Sequence, residues 1–201
     1  MMAVTLYLIR HGLTQGNLEG RYIGQSDDQP LSEAGRAQLQ EWQAAKKYPP
    51  ADALYVSPLA RCQETARILY PMLVPVTIPS LVEVDLGIFE GKTYEQLKDE
   101  PSFRRWIDSR GMTPPPGGEG GKEIAQRLMG ALRQIADDAQ RCHFKRAAVI
   151  THGGCIMTLF QQLDVAPGTD FYAYATPNGS GYTALLDTNT IQLSRITPLS
   201  L

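Results

Sequence analysis

An imidazole set between a permanent cation and a glycine ends the apolar run of "LYLIRHGLTQGN": Arg10, His11 and Gly12. A second histidine-glycine pair closes "AAVITHGG", as His152, Gly153 and Gly154. Another fixed cation, Arg61, stands in "SPLARCQETA", in the first turn of an expected helix. A guanidinium is always charged, and its planar fork matches phosphate oxygens two at a time. A helix N-terminus adds partial positive charge beside it. Two arginines and two histidines brought together would therefore form a compact anion site. A glycine after each histidine would let backbone approach a ligand closely.

These groups meet only if strands carry them to one end of a sheet. Residues 4–9 form a short apolar run of the kind buried on both faces of a parallel sheet. "DALYVS", "VPVTI" and "AAVIT" read as further strands, and "GYTALLD" with "IQLSRI" as a closing hairpin or edge pair around Thr188 and Asn189. Helices are expected from the Ser32 N-cap to about Lys47 and through "LARCQETARILY", where Ser57 is the expected cap. Others are expected at 94–98, 102–110, 123–140 and 154–163. Residues 123–140 carry the clearest helical period, with Ile124, Leu128, Ala131, Leu132 and Ile135 on one face. The stretches 16–24 and 81–91 read as irregular. Strands alternating with helices define an α/β class, with a mostly parallel central sheet and helices on both faces. In such sheets ligands bind outside the carboxyl ends of the strands, where both histidine-glycine pairs lie. "MTPPPGGEGG" reads as a loop within one domain spanning 1–201.

The 201 residues suffice for one sizeable core. A net charge of −2 gives no electrostatic reason to expect nucleic acid or a membrane as partner, so the anion site must be local. Three cysteines without a C-x-x-C pair argue against a disulfide framework and suit a reducing cytoplasm. Cys62 and Cys155 are expected to pack rather than react, and His143 to sit at the surface beyond a helix end. No signal peptide or membrane-spanning stretch is visible. "PPPGGEGGKE" is no phosphate loop, because Pro116 stands six residues before Lys122 and Glu123 follows it.

The constellation resembles the histidine phosphatase superfamily, the phosphoglycerate-mutase-like enzymes. "RHGLTQGNLEGRYIG", "DQPLSEAGRAQ", "SPLARCQETA", "LVEVDLGIFEG", "PPGGEG" and "ITHGG" match its blocks in order over nearly the whole chain. The resemblance implies the three-layer fold of that family and a phosphohistidine mechanism. His11 would be the nucleophile. Arg10, Arg61 and His152 would bind the phosphoryl oxygens, with Asn17 and a backbone N–H near Gly153 in support. Glu83 would protonate the leaving oxygen, with Asp85 and Glu90 as competing carboxylates and Glu90 the structural one. Where many relatives carry a glutamine this chain has Ile23. Ile23, Gly24 and Gln25 are the expected substrate-pocket residues, with Gln25 replacing the missing polar contact. No metal or other cofactor is implied, since arginines supply the charge that phosphoryl transfer needs.

Overall size and the "PPGGEG" block resemble bacterial α-ribazole phosphatases and broad-specificity members. The expected activity is hydrolysis of a small phosphorylated metabolite. A cofactor-dependent phosphoglycerate mutase is the alternative within the family. Metal hydrolysis through His11, His152 and Glu83, or a non-catalytic phosphate-binding module, are alternatives of other classes. The stretch 91–117 is short, so little chain is expected over the crevice and water should reach His11, which favours hydrolysis. Specificity is expected in 92–122, where Arg104, Arg105 and Arg110 form either a solvated face or a cationic pocket rim.

Overall fold

The computed structural model describes residues 3–163, 165 and 169–199. In chain order its elements are β1 (Ala3–Arg10), α1 (Gln15–Leu18), α2 (Glu33–Ala44), β2 (Ala53–Val56), α3 (Ala60–Leu69) and β3 (Pro75–Thr77). There follow α4 (Tyr94–Leu97), α5 (Pro101–Asp108), α6 (Gly121–Cys142), β4 (Arg146–Thr151), α7 (Gly153–Gln162), β5 (Gly181–Asp187) and β6 (Gln192–Pro198). The strands form one sheet in the order β3-β2-β4-β1-β5-β6. The pairings β3–β2, β2–β4 and β4–β1 are parallel, whereas β1–β5 and β5–β6 are antiparallel.

Side chains alternate across this sheet with the strand period of two. Val4, Leu6 and Leu8 of β1 face one layer, with Ile124, Leu128, Leu132 and Ile135 of α6 and Ile156, Leu159 and Phe160 of α7. Tyr7 and Ile9 face the other, with Leu39 of α2 and Cys62, Ala66 and Leu69 of α3. The α6 stripe read from the sequence is thus the buried face. Burying its four large aliphatic side chains contributes about 6–12 kcal/mol before entropy costs.

Parallel pairing of β1 with β4 sets Arg10 opposite Thr151. The next residues, His11 and His152, therefore leave the sheet side by side, and the His11 N–H donates to the Thr151 carbonyl at 3.0 Å.

Two local expectations are corrected. Within 16–24 the chain makes the single-turn α1, whose Thr14 and Asn17 cap each other reciprocally; four residues are too few to leave a helical period. Ser57 is not the cap of α3. That position falls to Leu59, which has no side-chain acceptor. Asp28 caps the helix from another loop instead, accepting the Ala60 N–H at 2.6 Å.

Candidate active site

His11 is 3% exposed. Its Nδ1 lies 2.7 Å from the Gly12 carbonyl oxygen. A carbonyl only accepts, so the proton of a neutral ring sits on Nδ1 and the Nε2 lone pair is free. Burial pushes its pKa well below the ordinary value, and the charges of Arg61 and Arg10 push the same way, outweighing the Gly12 bond. The imidazole is thus held neutral, as a nitrogen nucleophile must be. Its backbone is fixed on two sides. The Gly12 N–H donates to Thr65 Oγ1 at 3.0 Å, and Asn178 Nδ2 donates to the His11 carbonyl at 3.2 Å.

Arg61 is fully buried. Its Nη1 and Nη2 each donate at 3.0 Å, to the carbonyls of Asp27 and Gly24. The loop between α1 and α2 therefore both caps α3, through Asp28, and clamps the guanidinium that α3 carries. Glu90 shapes that loop by accepting the Ser26 and Asp27 N–H groups at 3.1 Å. Arg10 donates Nη1 to the Thr176 carbonyl at 2.8 Å. Burial and the nearby Arg61 charge push the Arg10 pKa down, against the pull of Glu83. Both arginines keep one buried donor, Nε, with no partner among the described residues. Buried N–H groups of this kind call for an acceptor, and a cationic pair calls for an anionic one.

His152 lies against His11, ring centroids 5.2 Å apart. Burial again depresses its pKa well below the ordinary value, followed by the charges of Arg61 and neighbouring groups. Its Nε2 is hydrogen-bonded to Ser57 Oγ at 2.8 Å. Both flanking thiols are inert: burial raises the pKa of Cys62 and of Cys155 far above the ordinary thiol value.

Glu83 sits in the turn between β3 and α4. Its Oε1 accepts the Val84 N–H at 2.9 Å and its Oε2 the Gly154 N–H at 3.3 Å, at the start of α7. The competing carboxylates are occupied elsewhere. Asp85 accepts from Gln25 Nε2 and from the Gly87 N–H, and Glu90 holds the loop just described.

A cavity of about 320 Å³ opens over this cluster. Arg10, His11, Asn17, Glu83, Gly153 and Gly154 line its polar end. Tyr22, Ile23, Trp106, Ile107, Met157, Phe171 and Tyr172 are among its apolar walls. Arg61 and His152 are buried behind that surface and do not line it. Among the described residues Arg21 is the one further cation on the walls, and it is tied to Glu19 at 2.6 Å and to the Gly91 carbonyl at 2.7 Å.

The histidine phosphatase superfamily (branch 1) matches the chain over residues 6–197. The chain belongs to that superfamily. An adenosylcobalamin/α-ribazole phosphatase of Escherichia coli (strain K12) is 30% identical over 178 residues, covering 87% of this chain and 86% of that protein. A probable phosphoglycerate mutase GpmB of Cronobacter sakazakii is 34% identical over 162 residues, covering 76% and 73%. Among solved structures, a mycobacterial glucosyl-3-phosphoglycerate phosphatase superposes with a TM-score of 0.82 at 26% identity, covering 98% of each chain. A putative α-ribazole-5′-P phosphatase from E. coli gives 0.78 at 27%, covering 98% and 96%. Membership and these relatives support a phosphatase that takes a small phosphorylated substrate.

Against that family pattern, the structure brings Arg10, His11, Asn17, Arg61, Glu83, His152 and Gly153 together. Two of the three expected pocket residues are turned elsewhere: the Gly24 carbonyl faces Arg61, and Gln25 is bonded to Asp85. Only Ile23 lines the cavity. Arg104 pairs with Asp99 and Arg110 with Asp170, and neither they nor the exposed Arg105 lines the cavity, so these arginines form a solvated face. The cover is also fuller than the short 91–117 stretch implies. Trp106 and Ile107 of α5 form one side, and the 3-10 turn Phe171–Tyr174 after α7 forms another, with Tyr172 Oη donating to the Ile107 carbonyl at 3.1 Å. The glycine after each histidine also makes room for the protein's own side chains. A Cβ on Gly12 would stand 2.6 Å from Leu39 Cδ1, and one on Gly153 3.3 Å from Arg10 Nε. Asn178 and Arg127 escape the sequence reading, and Ser57, expected as a helix cap, instead meets His152; of the two that escape, only Arg127 leaves a signal, as a charge one turn after Ile124 on the apolar edge of α6.

Proposed function

We propose that this chain hydrolyses a small phosphomonoester through a phosphohistidine on His11. The observation that carries the reading is a neutral, buried imidazole with a free Nε2, set beside the buried Arg61 and the part-buried Arg10, whose buried Nε–H donors have no acceptor among the described residues. In the proposed reaction Nε2 attacks phosphorus in line and the ester P–O bond breaks. Arg10, Arg61, His152, Asn17 and the Gly153 N–H take up the charge spread over the phosphoryl oxygens. Glu83 gives its proton to the leaving oxygen and, as carboxylate, then takes one from the water that attacks the phosphohistidine. Inorganic phosphate departs, the starting state returns, and no cofactor is consumed. One catalytic domain and a cytoplasmic site suit the three thiols, which are free.

For the alcohol, we favour an uncharged, aromatic-bearing one, with α-ribazole phosphate as the leading substrate. Tyr22, Trp106, Phe171 and Tyr172 offer flat apolar walls. Beside them Arg21, the one cation there among the described residues, is already paired with Glu19, which disfavours a phosphoglycerate carboxylate. A mutase is the second reading. It draws weight from the α5 and Phe171–Tyr174 cover, since a waiting phosphohistidine must be kept from water. Rapid-quench labelling should give an acid-labile, alkali-stable phosphoenzyme that His11→Ala lacks. Incubation with 3-phosphoglycerate and a bisphosphoglycerate primer should release phosphate without appreciable 2-phosphoglycerate. Label on another residue removes the mechanism; isomerisation much faster than phosphate release replaces the phosphatase with the mutase.

A further inference from the structure

Arg127 is a charged side chain on the edge of an otherwise apolar helical stripe, only 17% exposed. Its contacts converge on the turn that carries Glu83. Nη1 donates to the Ser80 carbonyl at 2.8 Å and to the Val82 carbonyl at 2.6 Å, and Nη2 donates to the Glu83 carbonyl at 3.2 Å. The same guanidinium pairs with Glu119 at 2.5 Å. Glu119 in turn holds the far side of the turn: its Oε1 accepts the Asp85 N–H at 3.1 Å, and its own N–H donates to the Asp85 carbonyl at 3.0 Å. The backbone before, at and after Glu83 is therefore gripped by one partly buried ion pair. That pair is anchored on α6, among the best-packed elements of the fold.

We propose that Arg127, locked to Glu119, is the positioning residue for Glu83, setting where its carboxyl meets the leaving oxygen. The turn needs such a device. Residues 82–86 lie in neither helix nor strand, so no ladder fixes their backbone. The carboxylate itself is aimed by the Val84 N–H of the turn and by the Gly154 N–H and Cys155 thiol of α7, contacts that it keeps only while the turn holds its place. A lysine could not replace the pair, because a single ammonium cannot span three carbonyls and a carboxylate in one plane. Arg127 does not itself line the cavity, and its bonds to the Ser80, Val82 and Glu83 carbonyls reach the site through the turn that carries Glu83.

The inference rests on the reading of Glu83 as the proton donor, and the test separates the two. Compare kcat/KM for p-nitrophenyl phosphate, whose leaving group hardly needs a proton, with that for 2-phenylethyl phosphate, whose alkoxide does. The ratio kcat/KM reports phosphorylation of His11 and is blind to the later hydrolysis. Arg127→Lys should lower the alkyl ester about 100-fold, the cost of misplacing a catalytic group by about 1 Å. The aryl ester should change by less than about 3-fold, since its departure draws little on the acid. Glu83→Gln should show the same selectivity, and adding Arg127→Lys to it should cost nothing more on the alkyl ester. Glu119→Gln, which leaves Arg127 and its carbonyl partners in place, should be selective in the same direction and decides the matter if Arg127→Lys does not fold. Equal losses on both esters in Arg127→Lys and Glu119→Gln, with Glu83→Gln still selective, would make the pair plain scaffolding and overturn the proposal. Equal losses in Glu83→Gln itself would remove the acid assignment, and the positioning role with it.

Discussion

Two imidazoles held neutral inside the protein make stability depend on pH in a way that can be calculated. Burial is the first cause of the lowered pKa of both His11 and His152, and the charge of Arg61 the second. In the unfolded chain each returns to about 6.5. Below that value the unfolded state binds protons that the folded state refuses, so stability is fully present above about pH 6.5 and is lost as the pH falls. Each histidine costs about 1.4 kcal/mol between pH 7.5 and 5.5, so the pair costs about 2.7 kcal/mol. Carboxylates, with ordinary values near 4, contribute little in that window. Urea unfolding at several pH values reads the loss as a midpoint shift of about 1 M, for a slope of about 2–3 kcal/mol/M. Removing either histidine should halve the dependence, and His11→Ala/His152→Ala should abolish it, with His143 common to all the chains compared. A double variant with the wild-type slope, or a wild type that gains stability on acidification, would show that neither ring is held neutral. His11 would then lack the free Nε2 lone pair that the proposed attack on phosphorus requires.

Three further outcomes follow from the geometry. Gly154→Ala should displace Glu83, because the added Cβ would stand 2.7 Å from its Oε1, and should lower kcat/KM for alkyl phosphates about 100-fold; wild-type turnover would show that the turn yields freely. Arg61→Lys, which cannot grip the Gly24 and Asp27 carbonyls together, should lose about 10²–10³ in kcat on aryl and alkyl esters alike, whereas a loss confined to alkyl esters would assign Arg61 to the leaving group. Vanadate should compete with substrate and, at 100 times its dissociation constant, stabilise the fold by about 2.7 kcal/mol, an effect that Arg10→Ala should largely remove; unchanged protection in that variant would place the anion elsewhere.

What the sequence makes legible is what repeats or alternates. The β1 and β4 runs are apolar on successive residues because both sheet faces are covered, and α6 shows its period because its stripe is long. The meeting of His11 and His152 was readable as a consequence: two strand ends bearing the same dipeptide coincide once the strands pair in parallel. Short or purely local devices are not legible in this way. A one-turn helix such as α1 has no period, and Leu59 at the α3 cap gives no hint that Asp28 reaches across to the vacant N–H.

The site divides along the same line. Arg10, His11, Arg61, Glu83 and His152 are visible because their side-chain chemistry is unusual in its setting. The residues that hold them act on backbone, and backbone acceptors have no sequence signature. Arg61 is clamped by the carbonyls of Gly24 and Asp27, and any residue could supply those. Gly24 thus read as a pocket residue when its oxygen belongs to the arginine. Asn178 reaches the His11 carbonyl from 167 residues away, and Ser57 meets His152 from 95. Such distances are set by strand order, which places β5 beside β1 and β2 beside β4. Only Arg127 broke a visible rule, as a charge on an apolar edge. A buried charge is costly unless it is paired, so its retention points to the groups it grips. Those groups are the backbone on either side of Glu83, so the place of the proposed proton donor depends on a residue that does not itself line the cavity.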